Sequence, residues 1–277
     1  MRVAYLGPPG TFSEEAVSRC ELARDAEPVP HRTFADAYEA LLRGEADLAL
    51  LPVENSIEGS IGAVLDLLVH RPGAQVRREL LLPVRQVLLA PPGTRLEDVR
   101  RVLSHPQPLG QCAAFLRERL PGAALEPTHS TADAAQKVAS GPPGAAAIGA
   151  RAAAARFGLE ILAEDIQDAA ENVTRFVLLA RQDEAPTGRD RTSIAFTLDR
   201  DRPGGLWEVI GEFAQRGLNL SKVESRPTKR EVGHYVFFLD FEAHRSDPAA
   251  AAALEGVRRR VHHMYVLGSY PRSEAAR

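Results

Sequence analysis

Between Arg181 and Asp190 the chain reads Arg-Gln-Asp-Glu-Ala-Pro-Thr-Gly-Arg-Asp, a polar run with Pro and Gly and no apolar period. Such a stretch supplies no face to bury, so it reads as a linker, and the domain boundary is placed there. The division gives units 1–181 and 190–277, and 277 residues agrees with two domains of roughly 100 to 200 residues each.

Upstream of the linker, Val3 to Leu6 reads as a buried strand and Gly7-Pro8-Pro9-Gly10 as a turn. Thr11-Phe12-Ser13-Glu14 is then a capping box that opens a helix. A second helix, Ala35 to Arg43, is stopped by Gly44, and Asp47 to Leu51 follows as a short apolar strand ending at Pro52. Strands alternating with helices imply an α/β unit with a parallel sheet. The alternation resumes with Leu80 to Ala90 as one strand, Arg95 to Arg101 and Leu109 to Leu120 as helices, and Ala145 to Gly149 as a strand, which reads as a second lobe. Periodicity leaves the path of Phe157 to Ala180 open.

Downstream, Ser193 to Leu198 alternates as a strand, Leu206 to Gln215 is helical with Gly217 as its stop, and Leu218 to Ser225 is a strand. Tyr235, Phe237, Leu239 and Phe241 alternate against Val236, Phe238, Asp240 and Glu242, which predicts a sheet with one covered side. Asp247 to Val261, with its alanine run, reads as a helix, and Met264 to Tyr270 as a last strand. The order is βαββαβ, a ferredoxin-like unit.

A formal charge of -3, from 34 basic and 37 acidic side chains, leaves no electrostatic footprint for nucleic acid or an anionic membrane. Cys20 and Cys112 are too few for a disulfide framework and lack metal-ligand spacing, which suits a reducing cytoplasm. The start Met1-Arg2-Val3-Ala4-Tyr5-Leu6-Gly7 has no leader pattern, and no run approaches the ~18 to 20 apolar residues of a spanning helix. The expectation is a cytoplasmic protein.

Asn172-Val173-Thr174-Arg175-Phe176 sets a hydroxyl beside a guanidinium at the mouth of an apolar run, a proton donor next to an anion clamp. Glu54, Asn55 and Ser56 follow an apolar strand directly, where ligands collect in open α/β sheets, although Asn55-Ser56 also reads as a turn. Thr11 and Ser13 stand at a helix N-terminus, as caps or as carboxylate contacts. Ser104, His105 and Gln107 precede a helix with Gln111 in its first turn. They read as another cap or, for Gln111, as an amide facing a cleft, and His105 is given no role as a base.

Four motifs stand in order: Leu51-Pro52-Val53-Glu54-Asn55-Ser56-Ile57-Glu58-Gly59, Ser104-His105-Pro106-Gln107 with Gln111-Cys112, Asn172 to Phe176, and Glu224-Ser225-Arg226-Pro227. In that order and spacing they resemble the prephenate dehydratase family, over Val3 to about Pro271. The resemblance implies a two-lobed, periplasmic-binding-protein-like catalytic domain in 1–181, with Phe157 to Ala180 returning to the first lobe, and an ACT regulatory domain in 190–277. It implies loss of water and carbon dioxide from prephenate to give phenylpyruvate, with no cofactor and no metal. Thr174 would donate a hydrogen bond to the leaving oxygen, and Glu54 would supply a proton through water or hold Asn55. Asn55, Ser104 and Gln111 would orient the substrate. Arg175 would clamp the pyruvyl carboxylate, with Phe176, Thr11, Ser13 and Ser56 as further substrate contacts.

The same resemblance implies feedback by L-phenylalanine, bound by Pro203, Gly204, Gly205 and Leu206 with Asn219, Leu220, Glu224 and Ser225 where two regulatory domains meet. A homodimer or homotetramer follows, with no nucleic-acid or membrane partner. On this reading a chain ending near Arg181 keeps its chemistry if the catalytic domain stays folded, and loses control by phenylalanine. No chorismate mutase segment precedes Met1. The family's Gly-Ala-Leu-Val is Gly204-Gly205-Leu206-Trp207 here, and Gln86 stands where many relatives carry His. Arogenate as substrate is a close alternative. A non-catalytic sensor of an aromatic metabolite is the alternative from another class, and the Thr174 hydroxyl argues against it, since a binder has no use for a leaving-group donor.

Overall fold

The computed structural model describes residues 1–198, 202–229 and 234–273, so the final residues of the 190–277 unit lie outside the described residues. The described residues form three sheets. The first lobe holds β1 (Arg2–Leu6), α1 (Phe12–Arg19), β2 (Glu27–His31), α2 (Phe34–Arg43), β3 (Leu48–Asn55), β4 (Gly59–Ser60), α3 (Gly62–His70) and β5 (Gln75–Pro83). The second holds β6 (Val87–Ala90), β7 (Arg101–Ser104), α4 (Pro106–Gln111), α5 (Ala113–Arg119), β8 (Ala124–Pro127), α6 (Thr131–Ser140), β9 (Ala145–Gly149), α7 (Ala152–Phe157) and β10 (Glu160–Ala163). β11 (Val173–Ala180) then returns to the first sheet, whose order is β2-β1-β3-β11-β5, with β4 beside β3. The second sheet runs β10-β6-β9-β7-β8.

Both lobes mix strand directions. β1 runs parallel to β2 and β3, whereas β11 runs antiparallel to β3 and β5 because it arrives from the other lobe. The single strand expected from Leu80 to Ala90 is two strands in different sheets. Pro83 has no N–H to continue a ladder, Val84 N–H goes to Asn172 O at 2.7 Å, and Gln86 N–H goes to Gln167 Oε1 at 2.9 Å. The run stays apolar because each half is buried in its own sheet, so composition hides the break. Pro52 does not end β3 either. It sits opposite Phe176 where the register shifts, leaving Val53 as the extra residue of a bulge, a place that tolerates a missing donor.

Two expected helices are also different. Arg95 to Arg101 holds only a short 3-10 turn at Leu96–Asp98, because the N–H groups of Arg100 and Arg101 both go to Gly144 O and draw the chain into β7. Leu109 to Leu120 is broken at Cys112 into the two helices α4 and α5. Asp168, on the segment crossing back between the lobes, splints the break by donating its N–H to Gln111 O at 2.7 Å and accepting from Ala114 N with its carboxylate.

The C-terminal unit is β12 (Asp190–Thr197), α8 (Gly205–Ala214), β13 (Leu220–Pro227), β14 (Tyr235–Phe241), α9 (Pro248–Arg258) and β15 (His263–Pro271). Its antiparallel sheet runs β13-β14-β12-β15. Phe213, Leu239, Phe241, Leu254 and Val257 close the core between this sheet and its helices. The expectation of a single covered side is overturned. Ala195, Val236, Phe238, Leu267 and Tyr270 on the other face share one core with Leu65, Leu68 and Val76 of the first lobe. Val236 and Phe238 are the residues that alternation assigned to the outside, and their apolar character belongs to that second interface. The approach is close enough to require glycine at Gly268, which has φ 147°. A Cβ there would lie 2.7 Å from the Val76 nitrogen and closer still to its carbonyl oxygen.

Candidate active site

β3 and β11 end side by side at the cleft between the lobes. Thr174 pairs with Asn55, and the next pair along the ladder is Arg175 with Glu54. Side chains alternate across a sheet, so these two pairs face opposite ways. Asn55 and Thr174 are buried, at 8% and 9% exposure.

The Asn55 amide has one orientation, set by its surroundings. Its oxygen accepts from the backbone N–H groups of Ile57 and Glu58, both at 3.0 Å, which turns its nitrogen toward Asn172 Oδ1 at 2.7 Å and Thr174 Oγ1 at 3.0 Å. Asn172, with its oxygen so engaged, directs its own nitrogen to Gln111 Oε1 at 3.4 Å. Polarity is thereby relayed from a backbone turn to two ends. The Thr174 oxygen accepts from Asn55, which leaves its proton for another acceptor. Gln111 Nε2 is buried with no partner among the described residues. Both ends are hydrogen-bond donors, and Gln111 and Asn172 line a cleft of about 610 Å³ together with Ile57, Glu58, Gln107 and Gln167.

Other expected site residues lie elsewhere or are already engaged. Ser104 is fully buried at the end of β7 and donates to Ile148 O at 2.8 Å, so its proton serves the second sheet and not a substrate. Ser56 accepts from Val173 N at 3.0 Å and donates to Glu171 O at 3.1 Å, pinning the start of β11. Phe176 is 2% exposed and packs with Tyr5, Leu82 and Leu178, which makes it core and not a substrate contact. His105 caps α4 by accepting from Gln107 N at 3.3 Å. At the first Gly turn, Glu14 reaches back to Gly10 N at 2.6 Å, but Thr11 makes no cap bond and its hydroxyl is buried without a partner among the described residues. Ser13 is buried in α1. The described contacts join Asn55, Asn172, Thr174 and Gln111, and they do not bring Thr11, Ser13 or Ser104 into that group.

Arg175 corrects the sequence reading most sharply. Lying on the back of the strand, it points away from the cleft, and its fork reaches Glu79 Oε2 at 2.9 Å, Asp240 Oδ2 at 2.8 Å and the Tyr270 hydroxyl at 2.6 Å. Burial alone would lower its pKa, but the Tyr270 oxygen, Asp240 and Glu79 together hold it well above the ordinary value. A guanidinium with all three nitrogens engaged on the back face cannot clamp a carboxylate on the other face. Glu54 shares that back face, where its carboxylate takes Lys222 Nζ at 3.0 Å and stands 3.7 Å from Arg175. It neither holds Asn55 nor faces the cleft.

Among the expected effector residues, Gly204 has φ 84° and precedes the ten-residue α8 as its N-cap. Pro203 is exposed, Leu206 is half-buried, and Trp207 is 75% exposed. Leu220 and Ser225 lie on β13 and Asn219 stands just before it, with Asn219 and Ser225 exposed. Glu224 turns toward the first lobe instead, accepting from Ser60 Oγ and pairing with Lys222 at 3.1 Å, so its carboxylate is not free for an amino group.

Asn172 received no role from the sequence, although it lies two residues before Thr174 and so on the same face of the strand. Asp240 and Glu79 were missed as well. An acid inside the apolar run Tyr235 to Phe241 was the available signal for Asp240. Among the described residues no group of His, Cys, Asp and Glu side chains is placed to hold a metal ion, and no helix is long and apolar enough to cross a membrane.

The family model for prephenate dehydratase matches residues 3–184, and that for the ACT domain matches residues 192–259. A prephenate dehydratase of Mycobacterium tuberculosis is 41% identical over 286 residues, covering 100% of this chain and 88% of that protein. Among solved structures, a prephenate dehydratase from Arthrobacter aurescens in complex with L-Phe superposes with a TM-score of 0.90 at 41% identity, over 98% of this chain and 90% of that one. GqqA, described as a novel type of quorum quenching acylase, superposes with a TM-score of 0.89 at 30% identity, over 99% of this chain and 98% of that one. On this similarity across its whole length, the chain belongs to the prephenate dehydratase family and carries a C-terminal ACT domain.

Proposed function

We propose that the cleft carries the decarboxylating dehydration of prephenate to phenylpyruvate, the step that makes this chain a carbon–oxygen lyase of phenylalanine biosynthesis, with Thr174 as donor to the leaving oxygen. In the reaction the bond from the ring to its carboxylate breaks and carbon dioxide leaves. That electron pair moves through the ring, which becomes aromatic, and the ring C–O bond breaks with protonation of the departing oxygen as water. No base is needed, because the carboxylate departs without losing a proton. A donor at the ring hydroxyl is needed, and a hydroxyl is a useful one only where it is held in place and shielded from water.

The observation that carries this reading is the Asn55 nitrogen 3.0 Å from Thr174 Oγ1, in an amide whose orientation two backbone N–H groups dictate. A donor on the oxygen sends the Thr174 proton outward and stabilises charge building on that oxygen. The unpartnered Gln111 Nε2 adds a second donor for orienting substrate. A fold shared with a protein described as an acylase does not by itself choose the reaction. Purified protein mixed with prephenate should generate phenylpyruvate, followed by its ultraviolet absorption, and a parallel reaction with arogenate settles the substrate. Absence of product from both overturns the reading.

For regulation, residues 190–277 are the effector-binding unit and 1–181 the catalytic one, in a cytoplasmic homo-oligomer. L-phenylalanine is received at Pro203, Gly204, Gly205 and Leu206, where α8 begins, with Asn219 and Leu220 from a second copy. β13 runs in the same direction as β12, since both are antiparallel to β14, so Asn219 and Gly204 sit at opposite ends of one sheet. A ligand as small as an amino acid can touch both only if two domains meet. The L-Phe complex of the Arthrobacter aurescens relative supports the choice of effector.

A further inference from the structure

Asn55 and Thr174, paired across the ladder, each adjoin on their strand a residue gripped from the C-terminal sheet. Arg175 is held by Asp240 Oδ2 at 2.8 Å and by the Tyr270 hydroxyl at 2.6 Å, and Glu54 by Lys222 Nζ at 3.0 Å. The acceptors are themselves fixed, because Ser193 Oγ lies 2.6 Å from both Asp240 Oδ1 and the Tyr270 oxygen. From β5 Glu79 joins this cluster, taking Arg175 Nε at 2.9 Å and Arg191 at 2.6 Å. The cluster thus sets Arg175, Arg191 and Lys222 against Glu54, Glu79 and Asp240 across the interface.

Of the two ladders that flank Thr174, the one with β5 runs without a shift from Val173 to Leu178, and the one with β3 does not. Between Arg175 and Phe176 the pairing with β3 shifts by the bulge at Val53, so the register of the deep core is not passed on to the last two pairs. On the back of the sheet the side chain of Arg175 ties this end of β11 to Asp240 and Tyr270. Consecutive residues of a strand cannot move independently, so a displacement of Asp240 and Tyr270 is carried through Arg175 to Thr174, and a displacement of Lys222 through Glu54 to Asn55. A misplacement of about 1 Å at a reacting group can lower rate ~100-fold.

We propose that Arg175 and Glu54 are positioning residues through which the C-terminal sheet sets the contact between Thr174 and Asn55. The device rests on the reading of Thr174 as the donor, and it gives the ACT unit a direct route to the chemistry along two named contacts. It also explains why a guanidinium stands next to Thr174 without facing the substrate.

The test uses Tyr270→Phe and Lys222→Met in the full chain, each alone and each combined with Thr174→Val, with kcat and KM measured for prephenate. Each single change should lower kcat at least ~10-fold while KM stays within about 2-fold, and neither should lower kcat further once Thr174 is valine. A purely structural role would reduce the yield of folded protein without that dependence on Thr174. Losses of the same size in both backgrounds, or unchanged kcat in both single variants, overturn the proposal. Tyr270 is fully buried, whereas the Lys222 side chain is 13% exposed, so Lys222→Met decides the matter if Tyr270→Phe does not fold. If the unaltered chain gives no phenylpyruvate, it is the function reading that falls, before any variant is compared.

Discussion

Asn172 Oδ1 receives the Asn55 amide nitrogen at 2.7 Å, and that bond passes the orientation that Ile57 and Glu58 impose on Asn55 to the Asn172 side chain. With Asn172 turned this way its own nitrogen faces Gln111, and with Asn55 turned this way the Thr174 oxygen is an acceptor. Asn172→Asp keeps the shape and the bond from Asn55 but removes the donor to Gln111 and buries a negative charge beside a site for a dianion. We expect kcat/KM for prephenate to fall at least ~100-fold, about 2.7 kcal/mol of transition-state stabilisation. Steady-state kinetics on folded variant would show it, and a loss under 3-fold would remove Asn172 from the site.

Thr174→Val removes only the hydroxyl. Turnover should drop at least ~100-fold with little change in KM, as for a hydrogen bond made mainly in the transition state, whereas Thr174→Ser should retain most of the rate. Near-normal turnover of the valine variant would mean that another group protonates the leaving oxygen.

Much of this arrangement was legible in the sequence, and the reasons for the failures are physical. The βαββαβ order and the placing of Thr174 at the mouth of a strand followed from local pattern, whereas Asn55 was expected beyond a strand ending at Pro52 and lies on β3. The facing of Arg175 did not follow, even though period 2 alone separates it from Thr174, because adjacency in sequence was taken for adjacency in the site. Glu54 failed for the same reason, being one residue before Asn55. The burial of Val236 and Phe238 depends on a surface of the first lobe that lies far away in sequence, and alternation can say which residues share a face but not what covers it. The break at Pro83 was hidden because both halves of the run are buried.

Gly268→Ala tests the interface between the domains. A Cβ at this position collides with the Val76 backbone, and φ 147° is a conformation that alanine avoids, so neither partner can yield cheaply. We expect a loss of at least ~2 kcal/mol in chemical denaturation, with the C-terminal unit released ahead of the lobes. A single transition with an unchanged midpoint would show that β15 and β5 are not in firm contact.

A chain ending at Arg181 was expected from sequence to keep its chemistry, and the structure changes that expectation. Removing the C-terminal unit uncovers Leu65, Leu68 and Val76, which share their core with Val236, Phe238 and Leu267. It also strips Arg175 of Asp240 and Tyr270, leaving Glu79 at 2.9 Å and the looser Glu54 at 3.7 Å. Breaking a buried ion pair from one side costs about 3 to 5 kcal/mol, because the remaining charge is left undersatisfied in a poorly solvated place. Arg175 can relieve that only by moving, and Thr174 moves with it. The fragment should therefore be poorly soluble, and its folded fraction, quantified by circular dichroism, should turn over prephenate at least ~10-fold more slowly than the full chain. Adding back the separate C-terminal unit should recover part of the rate if the two associate. Full turnover by the folded fragment alone would show that the catalytic lobes hold Thr174 without help, and that the contacts from Asp240, Tyr270 and Lys222 serve only to attach one domain to the other.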